Sequence, residues 1–142
     1  MAPFVWEQKY SVDIPQMDAH HRQIIELLEA FRKCAHSSES DQLVPAALEM
    51  LNLHARRHLR LEELMLRVRG YPGYAAHTEE HAVYVKKIAS LQTQLHRRDI
   101  SIRIANFLTE WWKYHILNSD QEYARFFRGM PAAIISTAPP AA

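Results

Sequence analysis

Glycine is scarce in this chain of 142 residues. Only Gly70, Gly73 and Gly129 occur, and the stretches between breakers are rich in Leu, Ala, Glu, Arg and Gln. That composition favours helix almost throughout. Cysteine is scarcer still: the single Cys34 excludes an intramolecular disulfide and fits a reducing cytoplasm. With no basic partner evident nearby, it reads as a packing residue rather than a nucleophile. An excess of either charge is also lacking. Seventeen Lys and Arg against sixteen Asp and Glu leave a net charge of +1, so no basic field attracts nucleic acid and no acidic excess marks a disordered tail. No run approaches the ~18 apolar residues that a membrane span requires. "MAPFVWEQKY", with Glu7 and Lys9, has no apolar stretch of the kind a signal peptide carries. The expectation is one cytoplasmic domain, monomeric, with no nucleic-acid partner and no membrane span.

Four helices can be read from the punctuation. His21, Ile24, Ile25, Leu28 and Phe31 recur at steps of three and four and mark one face of a first helix, with Pro15 in its first turn and "HSSES" at its end. A second runs from Asp41 to Arg69, with Pro45 in its opening turn and "GYPG" as its stop. A third begins near Tyr74 and ends at "HRRD". The fourth starts near Asp99 or Ser101 and turns Ile104, Phe107, Leu108, Trp111 and Trp112 inward. Such short connections force antiparallel neighbours, so the fold class is all-α, an up-down-up-down four-helix bundle. Residues 1–12 are expected as an extended arm packing Phe4, Val5 and Trp6 on the bundle. The bundle domain is placed at 1–130, with a flexible Pro/Ala-rich tail at 131–142.

What the chain does have is histidine, nine in all. His77 and His81 in "HTEEH" are one turn apart, so their Cβ atoms share a face at ~5–6 Å. His58 and Glu62 repeat that spacing in "HLRLE"; His21 follows Asp18 in "DAHH"; His115 and Asp120 are five apart in "HILNSD". Any one pair is more often a solvated surface or a satisfied core histidine than a ligand set. All four helices, however, carry such groups on their apolar faces, and burying them unpaired would cost several kcal/mol per charged group. A bound metal removes that objection. Imidazole and carboxylate without thiolate suit iron, manganese or zinc of higher coordination. Seven ligands are too many for one ion and suit two, with Glu62 and Asp120 bridging. The two Glu-x-x-His motifs of ferritin-like sites are absent.

The set as a whole resembles the hemerythrin family, in its single-domain bacterial form. "W…YSV…MDAHH", "HLRLEELM…YP", "HTEEH" and "WWKYHILNSDQEY" carry the resemblance across nearly the whole chain. It implies two iron ions, one bound by His77, His81 and His115 and the other by His21 and His58. Glu62 and Asp120 would bridge them, with an oxo or hydroxo as third bridge. It also implies reversible dioxygen binding at the position left vacant on the two-imidazole iron, in a pocket lined by Ile24, Leu59, Trp111, Trp112 and Ile116. The role implied is oxygen storage, delivery or sensing rather than catalysis, with an oxygen-consuming enzyme or redox partner as recipient. A diiron peroxidase, nitric oxide reductase or oxygenase using the same ligands is the alternative.

Two positions depart from the family pattern. Leu59 stands where Phe is usual, and Trp112 where Leu is usual. Trp112 either narrows and shields the vacancy, or with Leu59 conserves the pocket volume and changes nothing. The five-residue step from His115 to Asp120 would separate them by about 140° on a regular helix. A π turn or short break between Ile116 and Asp120 is therefore expected. His54 is assigned to packing or hydrogen bonding near the site, His20, His36 and His96 to the surface, and Tyr114 and Tyr123 to ordinary packing.

Overall fold

The computed structural model describes residues 2–97 and 99–129. After a single 3-10 turn (Gln8–Tyr10) come α1 (Pro15–Ala35), α2 (Ser40–Val68), α3 (Tyr74–Gln92) and α4 (Ile100–Tyr114). A π-helical turn (His115–Ser119) then leads directly into α5 (Asp120–Arg128). α4, the π turn and α5 follow without interruption and together form the fourth rod. α1 packs on α2 and α4, and α3 packs on the same two, which is the cyclic neighbourhood of an antiparallel four-helix bundle. The expected tail lies outside the described residues. Among those described, no helix is long and apolar enough to cross a membrane.

The bounds follow local chemistry. Pro15 sits at the start of α1, where its missing N–H costs nothing. α2 stops because Gly70 takes φ 71°, and the Tyr71 N–H then reaches back to the Leu66 carbonyl at 2.9 Å, closing the end of the helix. α3 ends at Gln92, earlier than "HRRD" suggests. Thr93 Oγ1 donates to the Ser90 carbonyl at 2.7 Å, and the backbone proceeds through i→i−3 bonds at Gln94, Leu95 and Arg97. His96 and Arg97 therefore decorate a turn rather than the last turn of a helix.

Two apolar clusters fill the interior. One holds Ile24, Leu28, Phe31, Leu51, Leu59, Tyr84, Ile104, Leu108, Trp112 and Ile116; the other holds Met17, Met65, Leu66, Tyr123 and Phe127. On α1, α2 and the fourth rod the metal-capable residues fall between the two in sequence. His21 lies between Met17 and Ile24, Glu62 between Leu59 and Met65, and His115 with Asp120 between Trp112 and Tyr123. The polar centre is thus closed at both ends by hydrocarbon.

The arm packs on the bundle, but not through all three residues expected. Phe4 is buried and meets Tyr10 edge-on at 5.6 Å, and Trp6 lies beneath the Arg22 guanidinium at 4.1 Å. Val5 points outward and is 63% exposed, because extended backbone alternates its side chains and its neighbours occupy the inner face. Asp18, one turn before His21, fastens the arm: it accepts Ser11 Oγ at 2.5 Å and the Val12 N–H at 2.9 Å. Gln121 Nε2 donates to the Ser11 carbonyl at 3.1 Å from the far rod. Asp18→Ala should therefore lower unfolding stability by about 1–3 kcal/mol through the two orphaned donors. Urea denaturation reads this directly, and an unchanged midpoint would mean that Phe4 and Tyr10 alone hold the arm.

Candidate metal centre

Each rod delivers its residues inward for a reason visible in the backbone. On α2 and α3 the four-residue spacing places His58 with Glu62 and His77 with His81 on one face. On the fourth rod the spacing is five, and the π turn from His115 to Ser119 absorbs the extra residue, so that His115 and Asp120 both point inward and are fully buried. The expected local departure from α geometry is present, and it begins at His115 itself.

The seven residues meet. Glu62, His77, His81 and His115 present ligand atoms within 4.8 Å of one another, as do His21, His58, Glu62 and Asp120. Glu62 divides its oxygens between the two groups. Oε1 lies 2.7 Å from His77 Nε2, 3.1 Å from His81 Nε2 and 3.5 Å from His115 Nε2, while Oε2 lies 3.4 Å from His58 Nε2 and 3.9 Å from His21 Nε2. Asp120 does the same: Oδ1 is 3.0 Å from His115 and 3.3 Å from His77, and Oδ2 is 3.1 Å from His21. Two carboxylates each spanning two imidazole groups is the arrangement of bridging ligands.

The donor set fits cations better than it fits itself. His21 and His58 bring their Nε2 atoms to 3.1 Å, and His81 and His115 do likewise, although at most one nitrogen of each pair can donate to the other. Both oxygens of Asp120 are buried with no hydrogen-bond partner. Lone pairs converging on shared space, with nothing to receive them, call for positive charge between them.

Protons supply that charge in the metal-free chain. Burial works against ionised His77, but the Glu62 and Asp120 carboxylates outweigh it and push its pKa up to about 9. Against the same opposition from burial, His81 is raised by Glu62 and Glu63, and His115 by Asp120, Glu62 and Glu80. Burial works against ionised Glu62 and Asp120 as well, yet the facing imidazoles, His77 and His115 foremost, hold both below the usual carboxylate range. His58 goes the other way: burial outweighs Glu62 and lowers it to about 4, so its nitrogen is already bare at neutral pH.

A further set of partners stands behind the imidazoles. His81 Nδ1 donates to Glu63 at 3.2 Å; His115 Nδ1 lies 3.1 Å from Glu80, which also accepts Ser119 Oγ at 2.5 Å. Such carboxylates orient the ring and raise its basicity. Tyr123 is more than packing, because its hydroxyl donates to Glu62 Oε2 at 2.9 Å. His20 also departs from the surface reading. It is half-buried, and its Nδ1 meets His58 Nδ1 at 3.1 Å in a cleft of about 130 Å³ shared with His54, Arg57 and Ile24. The adjacency of His20 to His21 was the available signal, but spacing alone does not say that a ring turned off the inner face still reaches His58. His54 bonds the Met50 carbonyl at 3.0 Å, and His36 and His96 are exposed as expected.

Of the five wall residues, Ile24, Leu59, Trp112 and Ile116 are buried. Trp112 lies 5.9 Å from His58, ring centre to ring centre, and donates its indole N–H to Tyr84 Oη at 3.1 Å. Trp111 is half-buried and stacks on His115 at 4.5 Å with a 13° tilt, which sets it against the three-imidazole group.

A four-helix bundle whose rods converge two carboxylates and five imidazoles on a buried centre defines a cation-binding domain. Comparison with known proteins gives it a family. The hemerythrin HHE cation binding domain matches residues 12–127, and the chain belongs to the hemerythrin family. It is 31% identical over 125 residues to a bacteriohemerythrin of Stenotrophomonas maltophilia, covering 87% of this chain and 81% of that one. A bacteriohemerythrin of Clostridium acetobutylicum is 28% identical over 127 residues, covering 84% of this chain and 98% of its own. A hemerythrin chain of Sipunculus nudus is 26% identical over 121 residues, covering 85% of this chain and 91% of its own.

Cation uptake must displace the protons held on His77, His81 and His115, so affinity should rise with pH from neutrality, the His77 share of that rise ending above about 9. Anaerobic calorimetry with ferrous ion, repeated in buffers of different ionisation enthalpy, checks both affinity and proton release. A pH-independent affinity without released protons would show that the imidazoles are neutral before binding.

Proposed function

We propose that the protein binds dioxygen reversibly at a diiron centre and serves oxygen storage or delivery to an oxygen-consuming enzyme. His77, His81 and His115 would hold one iron and His21 and His58 the other, with Glu62 and Asp120 shared between them. Five side chains would then serve the first ion and four the second, which would leave the second the more open. Two ferrous ions so placed supply the electrons on which reversible oxygen binding draws.

The chain's own contribution is to keep that position dry and aprotic. Ile24, Leu59, Trp112 and Ile116 are each 3% exposed or less. Within this wall the Trp112 indole N–H is committed to Tyr84 Oη, and across the centre the Tyr123 hydroxyl is committed to Glu62. Burial pushes the Tyr84 hydroxyl above its ordinary range, so it does not release a proton near neutrality. That commitment of nearby donors is the observation that carries the reading. Keeping acid and water from the site would leave oxygen binding reversible, whereas a supply of protons there would favour reduction.

The enzyme reading draws on one observation, the His20–His58 contact at 3.1 Å in a cleft open to solvent, which offers protons a route to a ligand ring. The deciding experiment is to reduce the iron-loaded protein anaerobically, admit air and withdraw it. A visible absorption band that forms with oxygen and disappears on its removal is expected. Direct passage to a stable oxidised spectrum, or turnover of peroxide or nitric oxide far faster than autoxidation, would overturn the storage reading in favour of the enzyme. Trp112→Leu should accelerate autoxidation several-fold, since it both removes a buried ring from beside His58 and frees Tyr84. Equal rates in variant and parent would show that Trp112 conserves volume and shields nothing.

A further inference from the structure

The outer face of α2 carries a pattern unrelated to the metal centre. Leu43, Ala46, Met50 and Leu53 follow one another at steps of three, four and three, and the same stripe continues through Arg57 and Arg60 to Leu64 and Val68. Leu43 is 39% exposed, Met50 54%, Leu53 68% and Val68 54%. Single exposed apolar side chains are ordinary on protein surfaces. A stripe with the alternating three-four step of a helix-pairing seam, running most of the length of a helix about 43 Å long, is not.

Charge on this helix is arranged about Leu53. Glu49 and Arg57 each lie four residues from it, and Glu39, at the N-cap, and Arg67 each lie fourteen from it. All four are exposed, and none makes an ion pair within the chain among the described residues. From Cys34 to Ala55 there is no Lys or Arg at all, whereas Arg56, Arg57, Arg60, Arg67 and Arg69 crowd the C-terminal half.

We propose that two copies of this chain associate through α2, antiparallel, about a twofold axis near Leu53. That axis sets Glu49 of each copy against Arg57 of the other, Glu39 against Arg67, and Leu43 within one residue of Leu64, while Met50 and Leu53 close the centre. A twofold contact must be self-complementary, and an outer face with Glu39 and Glu49 on one side of Leu53 and Arg57 and Arg67 on the other meets that condition only when its copy runs the opposite way. A parallel pairing would oppose like charges. A partner of one sign would match half the stripe and be repelled by the rest. The contact is a single helix pair, so a reversible dimer at the small end of interface sizes follows. It replaces the monomer that composition alone suggested, and it does not depend on which metal the centre holds.

Sedimentation velocity on the full chain, from low to high micromolar concentration, tests this. The parent chain should shift from monomer to dimer with concentration, and Met50→Glu or Leu53→Glu, both at exposed positions, should remain monomeric with unchanged helicity. Glu49→Lys and Arg57→Glu should each be monomeric alone, yet dimerise when mixed in equal amounts, because the mixed pair places opposite charges across the axis again. A parent chain that stays monomeric throughout, or a dimer indifferent to all four substitutions, would overturn the proposal. So would a mixture no more associated than its components, since that outcome removes the antiparallel register.

Discussion

The rest of the molecule depends on two buried carboxylates shared between two groups of imidazoles. Glu62 and Asp120 have no exposed surface, and neither could remain ionised there without positive charge close by. The chain supplies that charge from all four rods: His21 on α1, His58 on α2, His77 and His81 on α3, and His115 on the fourth. Protons on His77, His81 and His115 stand in for cations in the metal-free chain, which is why those imidazoles titrate high while the carboxylates titrate low. The arrangement also requires the rods to stay together, because separating any one of them leaves a buried charge without its partner. Stability and cation binding are thus one problem, and the two apolar clusters that close the centre at either end keep water from solving it differently.

Much of this was legible in the sequence because helical spacing is a strict rule. The four-residue steps His58 to Glu62 and His77 to His81 could only mean a shared face, and the five-residue step from His115 to Asp120 could only be reconciled by extra backbone in the turn. The π turn at His115–Ser119 is that extra residue made visible. The helix bounds were legible where Pro or Gly punctuates the chain, as at Pro15 and Gly70, and less so at Gln92, where only a Thr93 side chain competing for the Ser90 carbonyl marks the end of α3.

What periodicity could not give was the layer behind the ligands. Glu63, Glu80 and Tyr123 act across helix interfaces, and their partners His81, His115 and Glu62 lie 18, 35 and 61 residues away in sequence, on different rods. No spacing rule relates them. His20 and His21 are adjacent, so they project about 100° apart, and the three-four step marks His21 as the inward ring. Only the packing of α1 on α2 shows that His20, turned off that face, still reaches the outer nitrogen of His58. Val5 was misplaced for another reason, because alternation in an arm says that one of two neighbours faces in without saying which.

That outer layer is unequal, and the inequality bears on where a ligand goes. Glu63 accepts from His81 and Glu80 lies 3.1 Å from His115 Nδ1, whereas the group behind His58 is the imidazole of His20. A carboxylate at the outer nitrogen makes an imidazole a stronger donor than a neutral acceptor does. The three-imidazole group is therefore both fuller in ligands and richer in electrons, and the two-imidazole group is poorer in each. The apolar wall touches both groups: Trp112 lies 5.9 Å from His58 and 6.2 Å from His115, Ile24 shares a cleft with His58, Leu59 lines a pocket with His81, and half-buried Trp111 stacks on His115. The fold thus sets carboxylates behind the three-imidazole group and none behind the two-imidazole group, the division that the proposed reversible binding of a neutral gas draws on.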